Sequence, residues 1–176
     1  ARNDLSGAFQ ALEEGFSIAT ERDLQRFRLA LVSENIRLLI SNGQPEQAVR
    51  YSREMTPTGA LVDLMPCRNC TTQNELRAIP QVRIALLEDR ISDGLHVAKQ
   101  WRRHCAATGA YRSLIRWDLL LAQLYFVNGD MRAAQRALRD ALAHAAQRHI
   151  VRSFLDEGPA IQTLLSATTT SEDVNE

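Results

Sequence analysis

Lysine is almost missing from this 176-residue chain: Lys99 stands alone against 20 arginines. Glycine and proline are scarce at 8 and 5, and the cysteines number three. An odd cysteine count does not suit the paired disulfide framework of a small secreted domain. No apolar run approaches the roughly 18 residues needed to cross a bilayer, and no signal-peptide-like apolar stretch opens the chain. A cytoplasmic protein without membrane contact is the expectation. Acidic and basic side chains balance at 21 each. That balance excludes a generally basic protein that coats nucleic acid through uncompensated charge. The preference for arginine over lysine, beside abundant alanine, is read as coding bias and carries no functional weight.

Alanine and leucine supply 23 residues each, and the strand-forming residues never cluster in alternating runs. An all-α domain follows, long enough to bury a core without disulfides or metal. Asn42-Gly43-Gln44-Pro45 stops one apolar-periodic run and sets Pro45 in the first turn of the next helix. Asn128-Gly129-Asp130 repeats the device, with glycine in the left-handed position and Asp130 as N-cap. Glu88 to Asp93 is a weaker break of the same kind. Gly43, Asp89 and Gly129 are then 46 and 40 residues apart, and the small residues Ala48, Gly94 and Ala134 each follow by five. The implied repeat is a helical hairpin of about 43 residues. Helices are predicted at 4–19, 21–41, 45–55, 73–88, 92–108, 110–127, 130–148 and 157–166. The connector 56–72 is too long and too polar to be a plain turn. From Ser166 onward the sequence lacks an apolar period, so 1–165 is read as the folded domain and 166–176 as disordered linker.

The run from Leu119 through Asn128-Gly129-Asp130 to Leu142 resembles a tetratricopeptide-type hairpin. The following Ile150-Val-Arg-Ser-Phe-Leu-Asp-Glu-Gly, with Leu164-Leu165, is similar to the end of the tetratricopeptide-like region in large MalT-like regulators of the LuxR superfamily. The resemblance covers about residues 5–165, strongly in 110–165 and weakly in 56–80. It implies an all-α, tetratricopeptide-like solenoid of about three hairpins plus flanking helices. It also implies a parent protein with an ATPase module before the repeats and a helix-turn-helix domain after them. These residues hold no G-x-x-x-x-G-K-[ST] phosphate loop and no helix-turn-helix signature after residue 165. ATP and DNA binding would therefore belong to the parent, and no cofactor is expected here.

On the 21–41 helix, Leu24, Phe27, Leu31 and Leu38 share one flank, and Leu29, Val32, Ile36 and Leu39 another. The remaining arc carries Arg26, Ala30, Ser33 and Arg37. The third repeat places Arg112, Arg116, Leu119 and Gln123 in register with these, and the second places Arg83 level with Arg37. In hairpin solenoids the first helix of each repeat tends to line the concave surface. Arg26, Arg37, Arg83, Arg112 and Arg116 are thus candidates for a groove that takes an acidic peptide or an anionic small molecule. The alternative is a solvated face neutralised by nearby acids. Arg28 and Asn35 fall amid the apolar flank as a candidate inward polar pair. Cys67-Arg-Asn-Cys70 is a weak metal motif, since a structural zinc site needs four ligands and only Cys105, His104 and His96 remain as companions. Trp101, Tyr111, Trp117 and Tyr125 are assigned to the core. Asp156-Glu157 is read as a helix-start dipole and cap feature, because adjacent carboxylates on a helix do not face each other. No catalytic constellation assembles. The expected role is a non-catalytic sensor that binds a small-molecule inducer or protein partner and self-associates as a homodimer. A protein-interaction scaffold without small-molecule sensing is the alternative.

Overall fold

The computed structural model describes residues 4–56, 59–67 and 69–172. Among them are nine α-helices and one 3-10 turn, with no strand. Helix α1 spans Leu5–Glu21, α2 Gln25–Ser41 and α3 Pro45–Met55, followed by a 3-10 turn at Leu61–Leu64. Then come α4 (Thr72–Leu87), α5 (Ile91–Thr108), α6 (Tyr111–Val127), α7 (Met131–Ala146), α8 (Arg152–Asp156) and α9 (Pro159–Glu172). The three predicted hairpins are α2–α3, α4–α5 and α6–α7, flanked by α1 and by α8–α9. None of these helices is long and apolar enough to cross a membrane.

The helix ends follow a beat that sequence reading caught only in part. Gly43, Asp89 and Gly129 all adopt left-handed backbone, with φ of 71°, 58° and 78°. So do Asp23 (50°), Gly109 (69°) and His149 (54°), which were not singled out. Asp23 and Gly43 are 20 apart, as are Asp89, Gly109, Gly129 and His149 in succession. The hairpin period is therefore 40 residues. The figure of about 43 arises because the 56–72 connector lengthens one interval to 46. Asp and His take the left-handed role because short polar side chains tolerate it better than branched ones. The next helix starts are capped as expected at Pro45, which occupies the first turn. At Asp130, the Oδ1 accepts the Ala133 N–H at 2.9 Å.

Small residues set the approach of paired helices. Ala48 and Ala134 are fully buried, and a Cβ at Gly94 would lie 3.0 Å from Leu124 Cδ2. The core is centred on α6, whose Ile115, Trp117, Leu119 and Leu124 are at most 1% exposed. Trp117 stacks on Trp101 with centroids 5.8 Å apart, and the two indole N–H groups donate to Glu75 Oε1 (3.0 Å) and the Leu64 carbonyl (2.7 Å). Tyr125 is half-buried. Tyr111, assigned to the core, is instead exposed at the start of α6, with the Arg148 guanidinium 3.4 Å from its ring centroid.

The chain end departs from expectation. α9 continues to Glu172, past Ser166 where a linker was predicted to begin. Ile161 and Leu164 are fully buried and anchor its first turns. From that nucleus, each added residue costs little to propagate. The Thr163 and Ser166 hydroxyls return hydrogen bonds to the Pro159 and Gln162 carbonyls. Residues 173–176 of the predicted linker lie outside the described residues.

The tight contact at Gly94 makes a test of the hairpin packing. Gly94→Leu forces a branched side chain against Leu124, and overpacking of this kind is expected to cost at least about 1–3 kcal/mol. Urea unfolding followed by circular dichroism reads the loss. Stability equal to the parent chain would show that α5 and α6 do not meet there.

Candidate functional site

Equal helix lengths bring residues at equal distances from each turn onto common rungs across α2, α4 and α6. One rung holds Arg26, Thr72 and Arg112, the next Ala30, Leu76 and Arg116, and a third Arg37, Arg83 and Gln123. The first two rungs line an open groove of ≈ 930 Å³. Leu24 and Phe27 stand on its wall, 44% and 45% exposed, rather than in the core. Ala30, Leu76 and Arg116 continue into an inner hollow of ≈ 370 Å³ around the third rung. The predicted arginine stripe is thus assembled, but its two ends differ in chemistry.

The inner end is already occupied by the chain itself. The turn between α8 and α9 lays the Glu157 carboxylate against Arg83, while Gln123 Nε2 donates to its other oxygen at 3.0 Å. The Arg83 and Glu157 side chains are only 8% and 7% exposed. Arg37 donates to the Asp156 carbonyl and grips Glu34 with Nε and Nη2, the Nε bond being 2.9 Å. Burial opposes ionisation of Glu34, but the bond to Arg37 and the charges of Arg37, Arg83 and Arg116 prevail and hold its carboxyl below the ordinary range. Burial likewise works against the Arg37 cation, and Glu34, Asp156 and Glu157 outweigh it. Asp156-Glu157 is therefore no helix-start cap. α9 begins later, at Pro159, and Glu157 turns inward to meet residues 74 and 34 positions away.

The outer end is open and carries three arginines against Asp23 and Glu75. Arg116 is half-buried, Arg26 and Arg112 are exposed, and none of the three has an ion pair or side-chain hydrogen bond among the described residues. Glu75, on the same wall, is committed to Ser113 Oγ (2.8 Å) and Trp117 Nε1 (3.0 Å). Unengaged guanidinium groups beside Leu24, Phe27 and Leu76 suit an anion with an apolar body.

The remaining candidates separate. Arg28 and Asn35 both lie half-buried, but two helical turns place them about 10 Å apart along the axis. Asn35 instead lies near the Tyr51 hydroxyl of α3, where it opposes in part the upward push that burial gives that group. Cys67 and Cys70 do come together, their Sγ atoms 3.4 Å apart. No cluster of three or more His, Cys, Asp or Glu suited to a metal occurs among the described residues. Cys105 is buried in the core, its thiol pushed up to about 12 chiefly by burial and then by Glu75. His104 packs edge-on against Trp101 at 5.6 Å.

Sequence reading missed Asp118 and misassigned Glu157 as a helix-start feature. Asp118 lies on α6 in the midst of the apolar pattern and is fully buried. Its Oδ1 accepts from Arg102 Nε, while Arg102 Nη2 reaches Asp140 at 2.8 Å. Its Oδ2 has no partner. Burial outweighs Arg102 and raises the carboxyl from an ordinary 3.8 to about 6. A charged residue within an apolar run was the available signal for Asp118.

Two outcomes follow. Glu157→Ala leaves Arg83 buried without its counter-charge, which is expected to cost about 3–5 kcal/mol. The double variant Arg83→Met, Glu157→Leu recovers most of that loss in urea unfolding; no recovery would show that the pair is not the source. Asp118 works in the opposite direction from a salt-bridged carboxylate. Its raised folded pKa means that its contribution to stability is full below about pH 4 and is lost as pH rises through about 6. Unfolding curves across that window are expected to lose this decline in Asp118→Asn; an unchanged pH profile would reject it.

The family model for a MalT-like TPR region matches residues 1–171. No curated protein and no solved structure matches the chain. The match spans all three hairpins, α1, the Glu157 turn and most of α9, and the fold is the helical-hairpin solenoid that the model describes. The chain belongs to the MalT-like TPR region family.

Proposed function

We propose that this region is the non-catalytic sensor of a MalT-type transcriptional regulator, and that the outer groove of Arg26, Arg112 and Arg116 receives its inducer or partner. A MalT-like TPR region is a helical sensor or interaction domain of such a regulator. The observation that carries the finer reading is the contrast within one groove. Where the arginine ladder meets the α8–α9 turn it is ion-paired with the chain's own carboxylate, and where it opens three arginines face Asp23 and Glu75 without an ion pair among the described residues. A cationic surface with pre-positioned guanidinium groups favours anionic ligands. A solenoid whose repeats contact only their neighbours converts such binding into a small change of curvature. The ligand shifts that equilibrium only by preferring one arrangement. Self-association and action in the cytoplasm belong to the same reading, as do ATP and DNA binding by other parts of the parent protein.

The test is a thermal-shift screen of the chain against anionic metabolites and acidic peptides, with calorimetry on each hit. A saturable ligand raises the apparent melting temperature according to its concentration over its dissociation constant. Affinity is expected to fall at least about tenfold in Arg116→Ala, the loss of a charge-assisted bond. Hits that Arg116→Ala and Arg112→Ala leave untouched would remove the groove from the mechanism. Hits confined to acidic peptides would favour the scaffold reading.

A further inference from the structure

Two oddities of the sequence meet on the far side of α2 from the groove. One is Arg28, placed amid apolar positions; the other is the long polar connector after α3. Both line a half-open cavity of ≈ 550 Å³ bordered by α1, α2, α3, the connector and α4, with Glu54, Asp63 and Arg77 exposed on its rim. That volume lies within the range of about 300–1,000 Å³ usual for small-molecule sites.

The charge on its walls is mixed. Arg28 and Arg77 supply two cations, and Glu54 and Asp63 two anions. None of the four is ion-paired among the described residues, although they line one cavity. Asp63 accepts the Ala60 N–H at 3.2 Å and keeps its other oxygen available. Phe16, Val32 and Met55 form the apolar part of the wall. A ligand of a single charge would match one sign and be repelled by the other. A neutral apolar ligand would leave Arg28, which is half-buried, without a partner. A zwitterion satisfies both signs and places its side chain on the apolar wall.

We propose that this cavity binds a small zwitterion, an α-amino acid with an apolar side chain or a dipeptide of such residues. Arg28 takes the carboxylate in the fork geometry suited to guanidinium. Glu54 and Asp63 take the ammonium group. The site is separate from the outer groove, because Arg28 and Val32 face away from Arg26, Ala30 and Arg37 around the turn of α2. The two proposals therefore fail or succeed independently.

The experiment titrates leucine, phenylalanine and leucyl-leucine into the chain by calorimetry and thermal shift. At least one of the three is expected to bind saturably with one-to-one stoichiometry. The one-charge analogues 4-methylpentanoate and isoamylamine bind at least about tenfold more weakly than leucine, having lost one charge-assisted contact. Arg28→Met and Glu54→Gln each weaken binding by a similar factor, and Arg116→Ala leaves it unchanged. Glu54 is exposed, so its variant separates lost binding from lost folding. No binding by any of the three probes would overturn the proposal. So would 4-methylpentanoate binding as tightly as leucine, or affinity retained in both variants.

Discussion

The left-handed residues that end α1, α2, α4, α5, α6 and α7 are the constraint on which the rest of this molecule depends. Successive helices of nearly equal length keep their side chains level with one another. Levelness turns a scatter of arginines along the sequence into rungs across α2, α4 and α6. Without it, Arg83 and Gln123 would not reach the same carboxylate, and Arg26 and Arg112 would not border the same hollow. Left-handed geometry falls to glycine, aspartate and histidine at these positions. Each lets the chain reverse without a longer loop, so neighbouring helices pack along their whole length.

Arginine serves three purposes here, and burial decides which. Arg83 is nearly buried and must be answered by Glu157. Arg102 is one-third exposed and bridges two carboxylates, one buried and one half-exposed. Arg116 has access to the groove and remains available. A guanidinium keeps its charge across the biological pH range. Burial raises the carboxyl of Asp118 to about 6, and Arg102 links it on α6 to α5 and to Asp140 on α7. The pH response of this carboxyl therefore acts on the packing of α5, α6 and α7.

Most of the fold was legible because it rests on local signals. Gly43 and Gly129 mark turns that only glycine enters freely, Pro45 and Asp130 mark helix starts, and the apolar spacing of α2 and α6 is helical. The arginine ladder was legible too, once the breaks were set in register. What escaped was long-range pairing. Nothing local to Glu157 says that its partners are Arg83 and Gln123, and its neighbour Asp156 suggested a cap instead. Asp118 escaped for the same reason, since its partner Arg102 lies on another helix. The end of α9 was misread because composition reports the intrinsic preference of a segment. It does not report the anchoring that Ile161 and Leu164 supply.

The connector between α3 and α4 makes one interval six residues longer than the others, yet the rungs on either side of it still align. At this junction alignment is therefore held by side-chain packing between helices and not by a fixed length of chain. Length and composition can change at this junction without shifting the ladder. The wall that Gly59, Asp63 and Leu64 contribute to the neighbouring cavity can be remodelled while the groove keeps its shape. The architecture thus sets a surface built by helix packing beside one built in part by a connector.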